Sequence, residues 1–343
     1  MHATSVRPLG VLAAGILLLT IGLPAAAGTG FPYRLMRRIA LPATGVVHAL
    51  LFDPQTRVIY VAQGHRIEGY SPAGKPLALH RRLGGTVSAL ARTQSGQIVA
   101  AVRAPAQLVF LSPRTLAVEH QRSLDSGRPA ALLYDRTARM LFLESRSNGS
   151  IVRLDPLSGR PLGRVRILGA LGQMAGNGRG TLYVTNTARN ALEVIDARTM
   201  RRAGSIPLSR CHAPSGLAMD RVGRRLFVGC ANGRALIVDA DLGFTFVRLP
   251  LPGGPRLHAA FAFHPFGAYG WKGGAFFAGA KAVAGIQMQA FIRYRNHGQL
   301  PLPARCSALA LAAPVGELWL ALASAATGRP VIWVLGAGRS EAQ

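Results

Sequence analysis

The chain has 343 residues, 49% of them hydrophobic and 16% charged, a balance that supports a large core and excludes a disordered polymer. Against 14 Asp and Glu stand 40 Lys and Arg, a formal net charge of +26, nearly all of it arginine because Lys75, Lys272 and Lys281 are the only lysines. Guanidinium stays charged at any relevant pH and grips carboxylates and phosphates, so this balance points to anionic partners or to solubility by self-repulsion.

The first element is an apolar run from Leu9 to Leu23, preceded by Arg7 and followed by Pro24-Ala25-Ala26-Ala27. This is the pattern of a secretory signal peptide over residues 1–27, shorter than the ~20 residues a spanning helix needs. Residues 28–343 are expected to form one domain without a transmembrane segment, acting as a monomer in the periplasm or outside the cell.

Short β-rich runs then recur: VIYV from Val58, QIVA from Gln97, MLFL from Met140, TLYV from Thr181, RLFV from Arg225 and ELWL from Glu317. Their starts are 39, 43, 41, 44 and 92 residues apart, so the last interval hides one divergent copy. A third series of strands precedes them, ending at Asp53, Asp135 and Asp220, each opening a tight turn of the kind aspartate favours. Further strands end at Ser71, Ser112, Asp155, Asp196 and Asp239, and an outer strand follows each. Four short antiparallel strands repeated about every 42 residues predict an all-β, seven-bladed β-propeller of four-stranded blades. The seventh unit lacks an outer strand, which MRRIALP at 36–42 is expected to supply, closing the ring from the N-terminal side.

Within this pattern, TLYVTNTARNALEVIDARTMRRAGSIPL at 181–208 resembles the YVTN-repeat β-propeller family, with the tetrad Tyr183-Val184-Thr185-Asn186. CHAPSGLAMDRVGRRLFVGCANGRALIVD at 211–239 is similar to exported YncE-like members of that family. The resemblance implies a seven-bladed propeller in a bacterial envelope or outside the cell, and no defined activity. Propellers of this kind also carry heme, copper or quinone chemistry in other proteins, but no Cys-x-x-Cys-His site, histidine-rich copper set or acidic metal constellation is visible here.

Sorting by face places the loops leading into the innermost strands, with the turns between second and third strands, at one mouth of the central channel. Arg128 and Arg305 fall at equivalent positions there, with Arg256, His48, His212 and His258 within about one step, a set suited to a carboxylate or phosphate. A metal at the three histidines is not assigned, because neighbouring arginines would repel a divalent cation by roughly 1 kcal/mol per pair at ~4 Å in water. No cofactor and no catalytic residue is assigned either. Of the three cysteines, Cys211 and Cys230 are the favoured disulfide, since the hairpin near Val222 brings Cys230 back toward the strand that Cys211 precedes; burial of all three as small apolar groups is the alternative. The opposite face carries Arg57, Arg136, Arg139, Arg179, Arg221, Arg224 and Arg225 in one set of turns and Arg114, Arg160 and Arg198 in the other. Blade six, about 255–303, is irregular, and its Phe266, Tyr269, Trp271, Phe276 and Phe277 either form an exposed patch or fill a distorted core.

The function expected is that of an exported, non-catalytic binding or scaffold protein whose arginine-rich loops engage an acidic protein, an anionic envelope polymer or a small anion, in preference to nucleic acid. The alternative is a redox or metal- or cofactor-dependent enzyme, or accessory protein, with its site in the channel.

Overall fold

The second strand of each repeat is apolar on both faces, as in VIYVAQ at Val58–Gln63, where every residue is buried. The outer strand alternates, as in RRAGSIP at Arg201–Pro207, with one side exposed. A strand apolar on both sides needs a packed layer against each, and an alternating one needs only one. Sheets stacked face to face around an axis meet both demands.

The computed structural model, which describes residues 31, 33–125, 127–146, 149–251, 254, 256–262, 274–290, 293–313, 316–323 and 328–337, has this arrangement. Seven four-stranded antiparallel sheets are present, six with their strands in simple sequence order from channel to rim. The innermost strands are Val47–Asp53, Thr86–Arg92, Pro129–Asp135, Leu171–Gly176, Pro214–Asp220, His258–Ala262 and Cys306–Ala312. Each contacts the next, and the last contacts the first. Seven buried apolar clusters occupy the seven interfaces between blades, including the one where Trp319 and Ile332 of blade seven meet Val47 and Ile59 of blade one.

The seventh blade takes its outer strand from the N-terminal side, as expected, but that strand is Tyr33–Ala40. Its ladder runs from Tyr33 opposite Ala337 to Ala40 opposite Val331, with a bulge at Met36. The start lies earlier than 36 because Tyr33 is buried and sits edge-on to Phe276 of blade six at 4.9 Å. The end lies before Pro42, which has no N–H for a ladder. Within blade six the described residues keep the four-stranded order, and Phe276 and Phe277 are fully buried in its core. Phe266, Tyr269 and Trp271 lie outside the described residues, as does the 1–27 segment. Among the described residues no helix is long and apolar enough to cross a membrane.

Neighbouring blades are also stapled by polar contacts. The Tyr60 hydroxyl donates to the Pro113 carbonyl of blade two, and Tyr183 of the YVTN tetrad donates in the same way to Ala240 of blade five. Asp53, Asp135 and Asp220 accept the turn N–H groups two or three residues on, at 2.9–3.1 Å, so each turn is closed by its own aspartate.

Candidate functional site

At the face where the chain leads into each blade, the innermost strand bulges against the second strand in every blade but the sixth. In blade one the pairing jumps from Val47 with Gln63 to Ala49 with Ala62, leaving His48 unpaired. The same jump isolates Ser88, Ala130, Ser215 and Ser307, and in blade four Gly172 and Gln173. A bulge re-aims a side chain, and here it turns polar groups onto the strands that line the channel.

Gln173 shows the effect most fully. Its Oε1 accepts from Leu217 N–H of blade five at 3.0 Å and from Ala259 N–H of blade six at 2.8 Å. Beside it, Ser215 Oγ accepts from Leu257 N–H at 2.8 Å. Blades four to six are thereby cross-braced at this mouth, while Ser88 and Ser307 bond back into their own blades at 3.1 and 3.3 Å.

The charged groups are spread around the same mouth. Arg128 and Arg305 occupy equivalent places, as expected, for the Arg128 carbonyl accepts from Arg146 N–H at 3.1 Å and the Arg305 carbonyl from Ala323 N–H at 3.0 Å. The carbonyl of His212 plays the same part toward Ala231 N–H at 2.9 Å. Arg128, Arg256, Arg305 and His212 are exposed, whereas His48 and His258 are half-buried. Burial and then the Arg103 charge hold His48 below the ordinary imidazole range. Burial and then Arg305 push His258 down to about 4. Both rings are therefore neutral near pH 7, where the positive charge at the mouth is carried by guanidinium.

The residues that place this charge include three the repeat pattern did not single out. Arg103 and Arg146 stand at matching positions where the second strands of blades two and three end, next to Arg128. Burial lowers the Arg103 pKa, and the charges of Arg128 and Arg146 lower it further. The Arg103 Nε is buried with no hydrogen-bond partner among the described residues. Glu144, almost fully buried one residue before Ser145, is pushed up to about 7 by burial, against the pull of Arg146 at 4.0 Å. The signal was present in the sequence as an arginine directly after or ending a main run, in IVAAVR and MLFLESR, but only strand register sets such residues beside the lead-in loops.

His48, His212 and His258 are not drawn together, and among the described residues no three His, Cys, Asp or Glu side chains lie close enough to hold a metal ion. Cys211 and Cys230 are joined, with Cα atoms 5.3 Å apart, which pins the loop bearing His212. Cys306 is a free, buried thiol raised to about 12 by burial, so it is inert as a nucleophile.

Toward the other end the channel wall is apolar. A cavity of about 290 Å³ is lined there by Leu133, Met174, Leu217, Met219 and Ala260, with Arg221 at its edge. Arg221 is spent on structure, reaching Gly176 O at 2.9 Å, Thr137 Oγ1 at 3.1 Å and Asp135 at 3.1 Å.

No known protein family matches the sequence, and no curated protein does. Among solved structures, the chain is similar to a chain from the crystal structure of a mitotic checkpoint complex, at 14% identity and a TM-score of 0.71 over 95% of this chain and 99% of that one. It is also similar to the WD40 repeats of RRP9, at 11% identity and 0.70 over 89% and 97% of the two chains. The likeness to U3-55K is of the same order, 11% and 0.70 over 88% and 98%. At such identities the similarity concerns the fold alone.

Proposed function

We propose that this chain is an exported, non-catalytic propeller of the YVTN-repeat, YncE-like kind that holds an anionic partner at the mouth of its channel. The observation that carries the reading is the cationic sector formed by Arg103, Arg128 and Arg146 beside a neutral His48. The Arg103 guanidinium has its Nε buried without a hydrogen-bond partner among the described residues and feels the charges of Arg128 and Arg146, so a carboxylate or phosphate placed beside it would be favoured. Glu144 is the opposing carboxyl, and burial keeps it near half-protonated at neutral pH. The apolar run Leu9–Leu23 and the Cys211–Cys230 bond support export to an oxidising compartment. The partner is an acidic protein, an envelope polymer or a small anion, and the rigid ring, a fold commonly used as an interaction scaffold, presents the loops that select it.

Binding of a fluorescent polyglutamate, followed over a salt series, tests this. Arg103→Gln with Arg128→Gln is expected to weaken it about tenfold, the scale of one lost charge-assisted contact. Arg57→Gln with Arg179→Gln, on the opposite face, is expected to leave it nearly unchanged. Equal losses from the two pairs would mean diffuse attraction to a basic protein and no site.

A further inference from the structure

The face opposite the channel mouth combines two properties that a merely soluble surface does not need. Its turns hold Val222 at 78%, Leu242 at 77%, Phe244 at 46% and Leu157 at 61% exposure, among the most exposed large apolar side chains described. The first three sit on the two turns of blade five, which Arg224 ties together through a two-pronged pair with Asp241. Phe244 stands on Phe246 at 4.4 Å, and Phe246 is in turn covered by Arg225 at 4.0 Å, so the aromatic tip is held outward on a packed base.

The second property is charge. Exposed Arg57, Arg136, Arg139 and Arg179 lie in the same set of turns. Of the aspartates there, Asp53, Asp135 and Asp220 are buried against turn N–H groups, and Asp241 is taken up by Arg224. Asp155 and Asp196, held below the usual carboxylate range by the N–H groups of their own turns, stay ionised and offset part of that charge. A protruding apolar tip within a field of guanidinium is the combination that inserts shallowly into an anionic bilayer, the rings and aliphatic groups entering the acyl boundary and the arginines meeting phosphate. The chain also enters the fold on this face: Tyr33 opposes Ala337 at the end of the blade-seven strand that runs down to it.

We infer that this face is a docking surface for an anionic lipid bilayer, with Val222, Leu242 and Phe244 as the inserting tip. The inference stands independently of the anion site at the opposite mouth.

The test is an environment-sensitive fluorophore on Val222→Cys in the full chain, mixed with vesicles of equal parts phosphatidylcholine and phosphatidylglycerol. Cys306 is buried and escapes labelling. The emission should shift to the blue with these vesicles and not with phosphatidylcholine alone. The same label on Leu168→Cys, 66% exposed on the other face, should not shift. Leu242→Asp with Phe244→Ser should cut the response at 222 severalfold, while Arg103→Gln with Arg128→Gln should leave it intact. No shift at 222, an equal shift at 168, or an undiminished response in the double variant would overturn the inference.

Discussion

Gln63, Asn186 and Cys230 stand at the same place in three blades, the last residue of the second strand, and each fastens the loop that leads into its own blade. The Gln63 amide donates to the carbonyls of Ala43 at 2.8 Å and Thr44 at 3.1 Å, and the Asn186 amide to that of Leu168 at 2.9 Å. In blade five the fastening is covalent, Cys230 to Cys211. Closing a loop of that size contributes about 3 kcal/mol by chain entropy. Cys211→Ala with Cys230→Ala should therefore lower unfolding stability by about that amount, and Cys230→Asn in place of Cys230→Ala should restore about 1 kcal/mol through an amide bond of the blade-four type. Denaturant titration of the two variants measures the difference. Glu144 carries a second expectation at this scale. Its carboxyl is raised to about 7 from 4.5, so the folded state holds the proton more tightly than the unfolded one. Its contribution is complete below the unfolded pKa and is lost as pH rises through 7. Glu144→Gln should accordingly stabilise the protein above about pH 8, by roughly 1–3 kcal/mol, and have little effect near pH 4. His258 works in the opposite sense, since its pKa is lowered to about 4 and its contribution is lost as pH falls from 6.5 toward that value. Thermal melts across pH with Glu144→Gln and His258→Asn separate the two.

At the scale of elements, the β-rich runs beginning at Val58, Met140, Thr181, Arg225 and Glu317 are the second strands of their blades, each starting at that residue. They were legible because burial on both faces demands an unbroken apolar run, rich here in Val, Ile, Leu, Tyr and Phe. Blade six hides its second strand in GAFFA at Gly274–Ala278, where glycine and alanine leave little β signature. The closing strand was legible only as a missing partner in blade seven. Its Ile39 and Tyr33 pack inward while Arg34, Met36 and Arg38 face out, the alternation of an outer strand. Removing residues up to Ala40 should strip blade seven of that strand, expose the Val331–Ala337 edge and uncover Phe276. Loss of soluble expression, or a monomer-to-aggregate shift in light scattering, is the expected result, whereas removal up to residue 30 should leave a soluble ring.

For the whole molecule the dominant quantity is the net charge of +26 on the full chain. Repulsion among exposed guanidinium groups opposes compaction and is screened over about 8–10 Å at moderate salt. The melting temperature should thus rise as sodium chloride is raised from near zero to physiological strength. The rise should be shallower in Arg103→Gln with Arg128→Gln, where the coupled cluster at the mouth has been thinned. Calorimetry over a salt series checks both. Periodicity, turn chemistry and the unpaired seventh blade were enough in the sequence alone to determine ring, blade number and closure, because each is a local pattern that only one global arrangement can bury. The arginines and histidines of the mouth were countable in the same way, down to Arg128 and Arg305 at matching positions. Which of them act together was decided by tertiary structure, through the bulges that turn His48 and Gln173 out of the ladder and the strand ends that set Arg103 and Arg146 beside Arg128. Electrostatic coupling falls with distance in space, and residues one blade apart lie some forty positions apart in the chain.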